Sequence, residues 1–184
     1  MYGLSIAVAI AAVAASVAVA PNAVGILGGG LALIVIAIAL IDARHLIIPD
    51  ELNAFGIALG LVHAGLAGHS AVEAIALAAL RGATLALVFL AVRAIYRRLR
   101  GREGLGLGDI KLAAVAGVWL DWHMMPIAVD IAAAAALAAY VTRQLVLGRL
   151  IRPTGRMPFG LFLAPAIWIG WVLDPWLMAP LGPT

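Results

Sequence analysis

The stretch VGILGGGLALIVIAIALI, residues 24–41, is eighteen residues long and carries no charge, and Asp42 follows it directly. At about 1.5 Å per residue a helix of that length measures roughly 27 Å, close to the roughly 30 Å hydrocarbon core of a bilayer. It therefore predicts a membrane helix that ends on a carboxylate. Six further apolar runs lie around it, from Gly3 to Ala20, Leu52 to Leu66, Ala74 to Tyr96, Ile110 to Leu120, Pro126 to Val146 and Phe159 to Leu173. Over its 184 residues the chain is 65% hydrophobic and 11% charged, against about 45–50% and about 25% in soluble domains. A water-soluble globule is excluded. Spans of roughly 20 residues leave only short connections, so the expected fold is all-α: a polytopic transmembrane bundle of about seven helices, six at the least. It would form one integral-membrane domain over residues 1–184, with 1–23 an added N-terminal helix and 24–180 the helical core. The runs at 52–66 and 110–120 are short and need their polar flanks to complete a span.

The basic residues give the bundle a direction. Arg44 follows the second run; Arg93, Arg97, Arg98, Arg100, Arg102 and Lys111 surround the fourth connection; Arg143, Arg149, Arg152 and Arg156 surround the sixth. Only Arg81 of the twelve basic residues falls elsewhere, and the connections around 21–23, 65–73 and 121–125 carry none. Positive residues stay on the cytoplasmic side, which predicts even-numbered connections and the N-terminus inside and the C-terminus outside. The net charge of +3 thus reads as membrane topology, not as affinity for nucleic acid. The absence of cysteine excludes disulfides, thiolate metal sites, Cys nucleophiles and c-type haem attachment.

Two segments break the apolar pattern on the predicted cytoplasmic side. In Ile41-Asp42-Ala43-Arg44-His45-Leu46-Ile47-Ile48-Pro49-Asp50-Glu51-Leu52, Pro49 disfavours helix at Ile48, so one helix should end within 42–48 and the next begin near Asp50. Asp50 then has an ordinary role as N-cap. Asp42 has none, because it sits at a helix C-terminus, where the macrodipole opposes a carboxylate, and Arg44 is two residues away, off its helix face. In Gly104-Leu105-Gly106-Leu107-Gly108-Asp109-Ile110-Lys111-Leu112, alternating glycines clear room for another backbone or a peptide to approach, and Asp109 lies where a helix should start. The segment lacks the Gly-Lys-Ser/Thr ending of a phosphate loop. Elsewhere, Arg81 and Asp130 fall inside apolar runs toward the outer side and are expected to pair across helices. His63, His123 and Asp121 fall near the outer surface, and Trp119, Trp122, Trp168, Trp171 and Trp176 read as interfacial or packing residues.

Together, Asp42…Ile48-Pro49-Asp50, Gly104-x-Gly106-x-Gly108-Asp109-x-Lys111 and Met157-Pro158-Phe159-Gly160-Leu161-Phe162-Leu163-Ala164 resemble the type IV prepilin peptidases, multi-pass aspartic peptidases of the GxGD class. The resemblance implies catalytic roles for Asp42 and Asp109. It implies substrate-binding or supporting roles for Pro49, Asp50, Gly104, Gly106, Gly108, Lys111, Pro158, Phe159 and Gly160. The implied activity is cleavage of a leader from a type IV prepilin, pseudopilin or preflagellin-like precursor, at the cytoplasmic edge of the inner cell membrane, in contact with the lipid bilayer. No metal or other cofactor is implied. With no cysteine, the chain is similar to the short peptidase-only branch that serves Flp or Tad-type pili, near the archaeal preflagellin peptidases, and an unmethylated product is expected. The rival expectation is a small proton-coupled transporter, with Asp42, Asp109 and Asp130 as relay carboxylates. No internal repeat of the kind transporters use is evident.

Overall fold

A computed structural model describes residues 2–68, 70–101, 104–146 and 158–178. The described residues form seven helices and no strand: α1 (Tyr2–Val19), α2 (Ala23–His45), α3 (Asp50–Ala67), α4 (Ala71–Arg100), α5 (Leu107–Trp119), α6 (Met124–Val146) and α7 (Gly160–Met178). Arg102, Arg149, Arg152, Arg156 and Met157, all named above, lie outside the described residues. Four helices, α2, α4, α6 and α7, are long and apolar enough to cross a membrane, and α1 is a shorter apolar helix. The fold is an all-α helical bundle of a multi-pass membrane protein. Its exterior agrees: Leu4, Ile26, Leu87 and Leu137 are all more than half exposed, an apolar surface that suits lipid and not water.

Local chemistry sets the helix ends. The Asn22 side chain accepts a hydrogen bond from the Val24 N–H at 2.9 Å and so caps α2. At the other end Leu46 adopts a left-handed conformation (φ 55°) and its N–H bonds back to the Asp42 carbonyl, the usual way to close a helix but normally given to glycine. Gly101 closes α4 in the same conformation. The expected break before Pro49 is present. Asp50, however, is the first residue of α3 and not its cap; Pro49 holds the cap position, and the Asp50 carboxylate instead binds Lys111 Nζ at 2.6 and 2.7 Å.

The short helix α5 is the hub. It packs against α3, α4 and α7, and its Leu112, Ala113, Val115 and Ala116 are fully buried. Glycine permits the closest of these contacts: a methyl group on Gly117 would lie 2.5 Å from the Arg81 carbonyl oxygen of α4, the kind of backbone approach that packs helices in lipid. Around this hub α2 packs on α1, α3 and α7, while α6 packs on α7. At thirteen residues, α5 measures only about 20 Å and falls short of a bilayer core of roughly 30 Å.

At the end where α5 finishes, polar groups pin the helices together. Arg81 pairs with Asp121 at 2.7 Å and donates to the Gly117 carbonyl. The expected Arg81–Asp130 pair is not formed, because α6 packs on α7 and leaves Asp130 exposed. His123 contacts Asp174 at 2.8 Å, and Trp171 donates to His63 Nε2. A cavity of about 420 Å³ opens among His63, Arg81, Trp119, Asp121, Trp171 and Asp174. Trp168 also donates to Ser16, which fastens α1 to α7.

Candidate active site

Asp42 ends a buried stripe on α2. Leu31, Val35, Ile38 and Asp42 recur at helical spacing and all face the core, so the helix that buries the first three also buries the carboxylate, which is 4% exposed. The difficulty posed by its own helix C-terminus is met by another helix. The Leu161 N–H, in the first turn of α7, donates to Asp42 Oδ2 at 2.9 Å, and a helix N-terminus is a favourable place for an anion. Gly160 makes the approach feasible, since a methyl group there would sit 2.8 Å from that same oxygen. Phe159 supports the turn from both sides. Its carbonyl accepts from the Phe162 and Leu163 amides, and its ring lies 6.4 Å from that of Phe89 on α4, within the range of aromatic packing. Pro158 leads into this turn.

Asp109 is handled in a parallel way. It is the third residue of α5, half-buried, and its Oδ2 accepts the Gly106 N–H at 3.0 Å, which ties the carboxylate to an otherwise unpaired amide at the start of its own helix. The loop before it is fixed to α4: Arg93 donates to the Leu105 carbonyl at 3.0 Å, and Gly104 lies so close to the Tyr96 ring that a methyl group would come within 2.6 Å of it. The glycines therefore admit side chains, Tyr96 at Gly104 and Ile48 at Gly108, where a backbone or peptide was expected, and Gly108 does so from within the helix and not from an extended segment.

The turn at Gly160 that holds Asp42 and the start of α5 that carries Asp109 meet at Ile48. Ile48 forms their common wall. A methyl group at Gly108 would lie 3.0 Å from Ile48 Cβ, and one at Gly160 would lie 2.6 Å from Ile48 Cδ1. This residue and Leu161 carried no distinguishing signal beyond their places in the motifs, although Pro49 does force Ile48 out of helix. Pro49, Asp50 and Lys111 stand beside the pair and not in it. The Asp50–Lys111 bond clamps the start of α3 to α5, two residues past Asp109. His63, His123, Asp121 and Asp174 gather at the opposite end of the bundle. Among the described residues no group of three or more ligating side chains converges on a metal position. Two carboxylates, one buried and one half-buried and each oriented by an amide, are the groups that acid–base chemistry on a shared substrate would need.

The sequence profile of the type IV leader peptidase family matches residues 29–141. The chain is 31% identical over 136 residues to a prepilin leader peptidase/N-methyltransferase of Aeromonas hydrophila, covering 74% of this chain and 45% of that protein. It is 35% identical over 152 residues to a protein of the same description from Burkholderia pseudomallei (strain 1026b), covering 78% of this chain and 45% of the relative. Leader peptidase HopD of Escherichia coli is 34% identical over 134 residues, covering 71% of this chain and 82% of its own length. The chain thus spans a little under half of the two longer relatives. No solved structure is significantly similar to it. The matched span holds both Asp42 and Asp109, and on that match the chain belongs to the type IV leader peptidase family.

Proposed function

We propose that this protein is a membrane-embedded aspartic endopeptidase that removes the leader from a type IV prepilin, pseudopilin or preflagellin-like precursor, with Asp42 and Asp109 as its catalytic pair. One observation carries the reading: each aspartate takes a backbone amide from a glycine-bearing motif, Asp42 from the turn that follows Pro158-Phe159-Gly160 and Asp109 from Gly106. The names of the relatives agree with it, two being prepilin leader peptidase/N-methyltransferases and the third a leader peptidase. In the proposed reaction one carboxylate accepts a proton from water as the water attacks the scissile carbonyl carbon. The other, protonated, donates to the carbonyl oxygen. Collapse of the tetrahedral intermediate breaks the C–N bond, and the released amine takes a proton from the pair.

The aspartate end of the bundle is also the end of α4 that bears Arg97, Arg98 and Arg100, which favours placing the site on the cytoplasmic face of the inner membrane. Because α5 is shorter than the bilayer is thick, it does not reach both faces, and this reading places the shortfall at its Asp109 end. This suits a substrate whose cleavage point adjoins a hydrophobic helix lodged in the same membrane. Residues 24–180 would then be the catalytic core and 1–23 an added helix pinned to α7 through Ser16 and Trp168. The test is to incorporate the purified protein with a candidate prepilin in lipid vesicles and read the product by gel mobility and mass. Release of the intact leader is expected, and an unprocessed prepilin in the presence of folded protein would refute the proposal.

A further inference from the structure

Asn53 is 2% exposed, and neither its Oδ1 nor its Nδ2 has a hydrogen-bond partner among the described residues. Buried amides are ordinarily bonded, and one left unpaired is destabilising. Its position follows from the glycine contacts. Helices α2 and α3 run antiparallel, since a methyl group at Gly30 would meet Leu59 at 2.8 Å and one at Gly56 would meet Ile34 at 3.8 Å. Helices α3 and α5 run parallel, with Asp50 on Lys111, Gly56 facing Val115 and Gly60 facing Val118. Asn53 precedes Gly56 by three residues, so it shares the face that Gly56 presents to both neighbours. It therefore lies level with Val35–Ile38 on α2 and with Leu112–Ala113 on α5, about one turn below Asp109 and between one and two turns below Asp42. The Cα–Cβ bond of a helical residue tilts toward the helix N-terminus, and the N-terminus of α3 is the aspartate end.

The surroundings offer the amide nothing else. Ile38, Leu112 and Ala113 are buried and apolar, and their backbone groups lie inside helices. Substrate cannot reach a side chain buried between three helices. Water is small enough to occupy such a site, and internal water characteristically bonds to otherwise unpaired buried polar groups. We propose that Asn53 is a positioning residue for the aspartate pair: its amide binds internal water beneath Asp42 and Asp109 and thereby fixes the hydrogen-bond geometry of the reacting carboxylates. This rests on the peptidase reading above. An amide suits the task because it both donates and accepts, so it orders a water molecule without adding a charge to the carboxylates.

The test compares Asn53→Leu and Asn53→Thr with the parent in lipid vesicles. Leucine removes both polar atoms at similar volume, and threonine keeps one hydroxyl that donates and accepts. The proposal predicts that Asn53→Leu lowers kcat for a prepilin about a hundredfold with KM unchanged and the melting temperature equal or raised, and that Asn53→Thr recovers most of kcat. A purely structural asparagine predicts the reverse pattern, a lowered melting temperature with kcat retained in the surviving fraction, and that result would overturn the proposal. A readout independent of turnover separates its failure from failure of the peptidase reading. The infrared carboxyl band assigned by loss in Asp42→Asn or Asp109→Asn should shift in Asn53→Leu, and an unshifted band would overturn the proposal whether or not prepilin is cleaved.

Discussion

Asp42 and Asp109 lie far apart in sequence, yet each is served by a backbone amide, and glycine is what lets the amide reach Asp42. Gly160 is the more exacting position, because a methyl group there would press on both Asp42 Oδ2 and Ile48 Cδ1. Gly160→Ala should therefore displace the carboxylate from the Leu161 amide and reduce prepilin cleavage about a hundredfold, the scale of effect that a 1 Å misplacement carries, while the helical circular dichroism of the protein is retained. Cleavage at the parental rate would show that the contact is dispensable. Asp50→Asn should behave differently. It weakens a half-exposed bond to Lys111, of a class contributing about 0–1 kcal/mol, so thermal unfolding in detergent should move little and cleavage should persist within a few-fold. At this scale the sequence motifs singled out both aspartates, the glycine series Gly104, Gly106 and Gly108, and Gly160. They could not show that Asp50 binds Lys111 or that Asp42 meets Leu161, because the latter bond joins residues 119 positions apart, and only the packing of α7 on α2 creates it.

The connection between α2 and α3 illustrates what local chemistry fixes in an element. Pro49 ends one helix and starts the next, as its ring geometry requires. Leu46 is the less comfortable choice, a half-exposed leucine in a left-handed conformation. Such a conformation costs a non-glycine residue about 1–2 kcal/mol, partly offset by the lower unfolded-state entropy of leucine relative to glycine. Leu46→Gly should accordingly raise stability by about 0.5–1 kcal/mol, read as a higher melting temperature in detergent, and a drop would mean that the Leu46 side chain makes contacts beyond those its exposure implies. Helix number and order were legible from the apolar runs, since each run maps onto one helix with ends displaced by a few residues. The length of α4 was less so. Its last turn is basic and extends the helix past the apolar stretch to Arg100, a continuation that hydropathy alone does not register. The partner of Arg81 was misjudged for a related reason: a charge inside an apolar run indicates that a partner is needed, but helix adjacency decides which, and the connection just after α5 delivers Asp121 where α6 does not deliver Asp130.

At the scale of the molecule, the bundle has two chemically distinct ends. One holds the aspartates and the arginine-bearing terminus of α4, and the other is closed by paired charges and tryptophans around a cavity. Cysteines introduced singly at Ala43 and Gly101 should react with an impermeant thiol reagent only from the cytoplasmic side of sealed cells or vesicles, and those at Asn22, Gly68 and Trp122 only from outside. Labelling of Gly101→Cys from outside would reverse the orientation and with it the side on which cleavage occurs. Asp109 meets the start of its own helix locally, but the placement of Asp42 against the N-terminus of α7 depends on α7 packing on α2, a long-range outcome that composition and periodicity do not encode. The most direct check of the account is a side-by-side prepilin cleavage assay of the parent, Asp42→Asn and Asp109→Asn proteins in lipid vesicles, with products identified by mass. The account predicts leader release by the parent and none above background by either variant, with all three proteins equally helical and equally well inserted. Leader release by Asp109→Asn at a rate near that of the parent would contradict it.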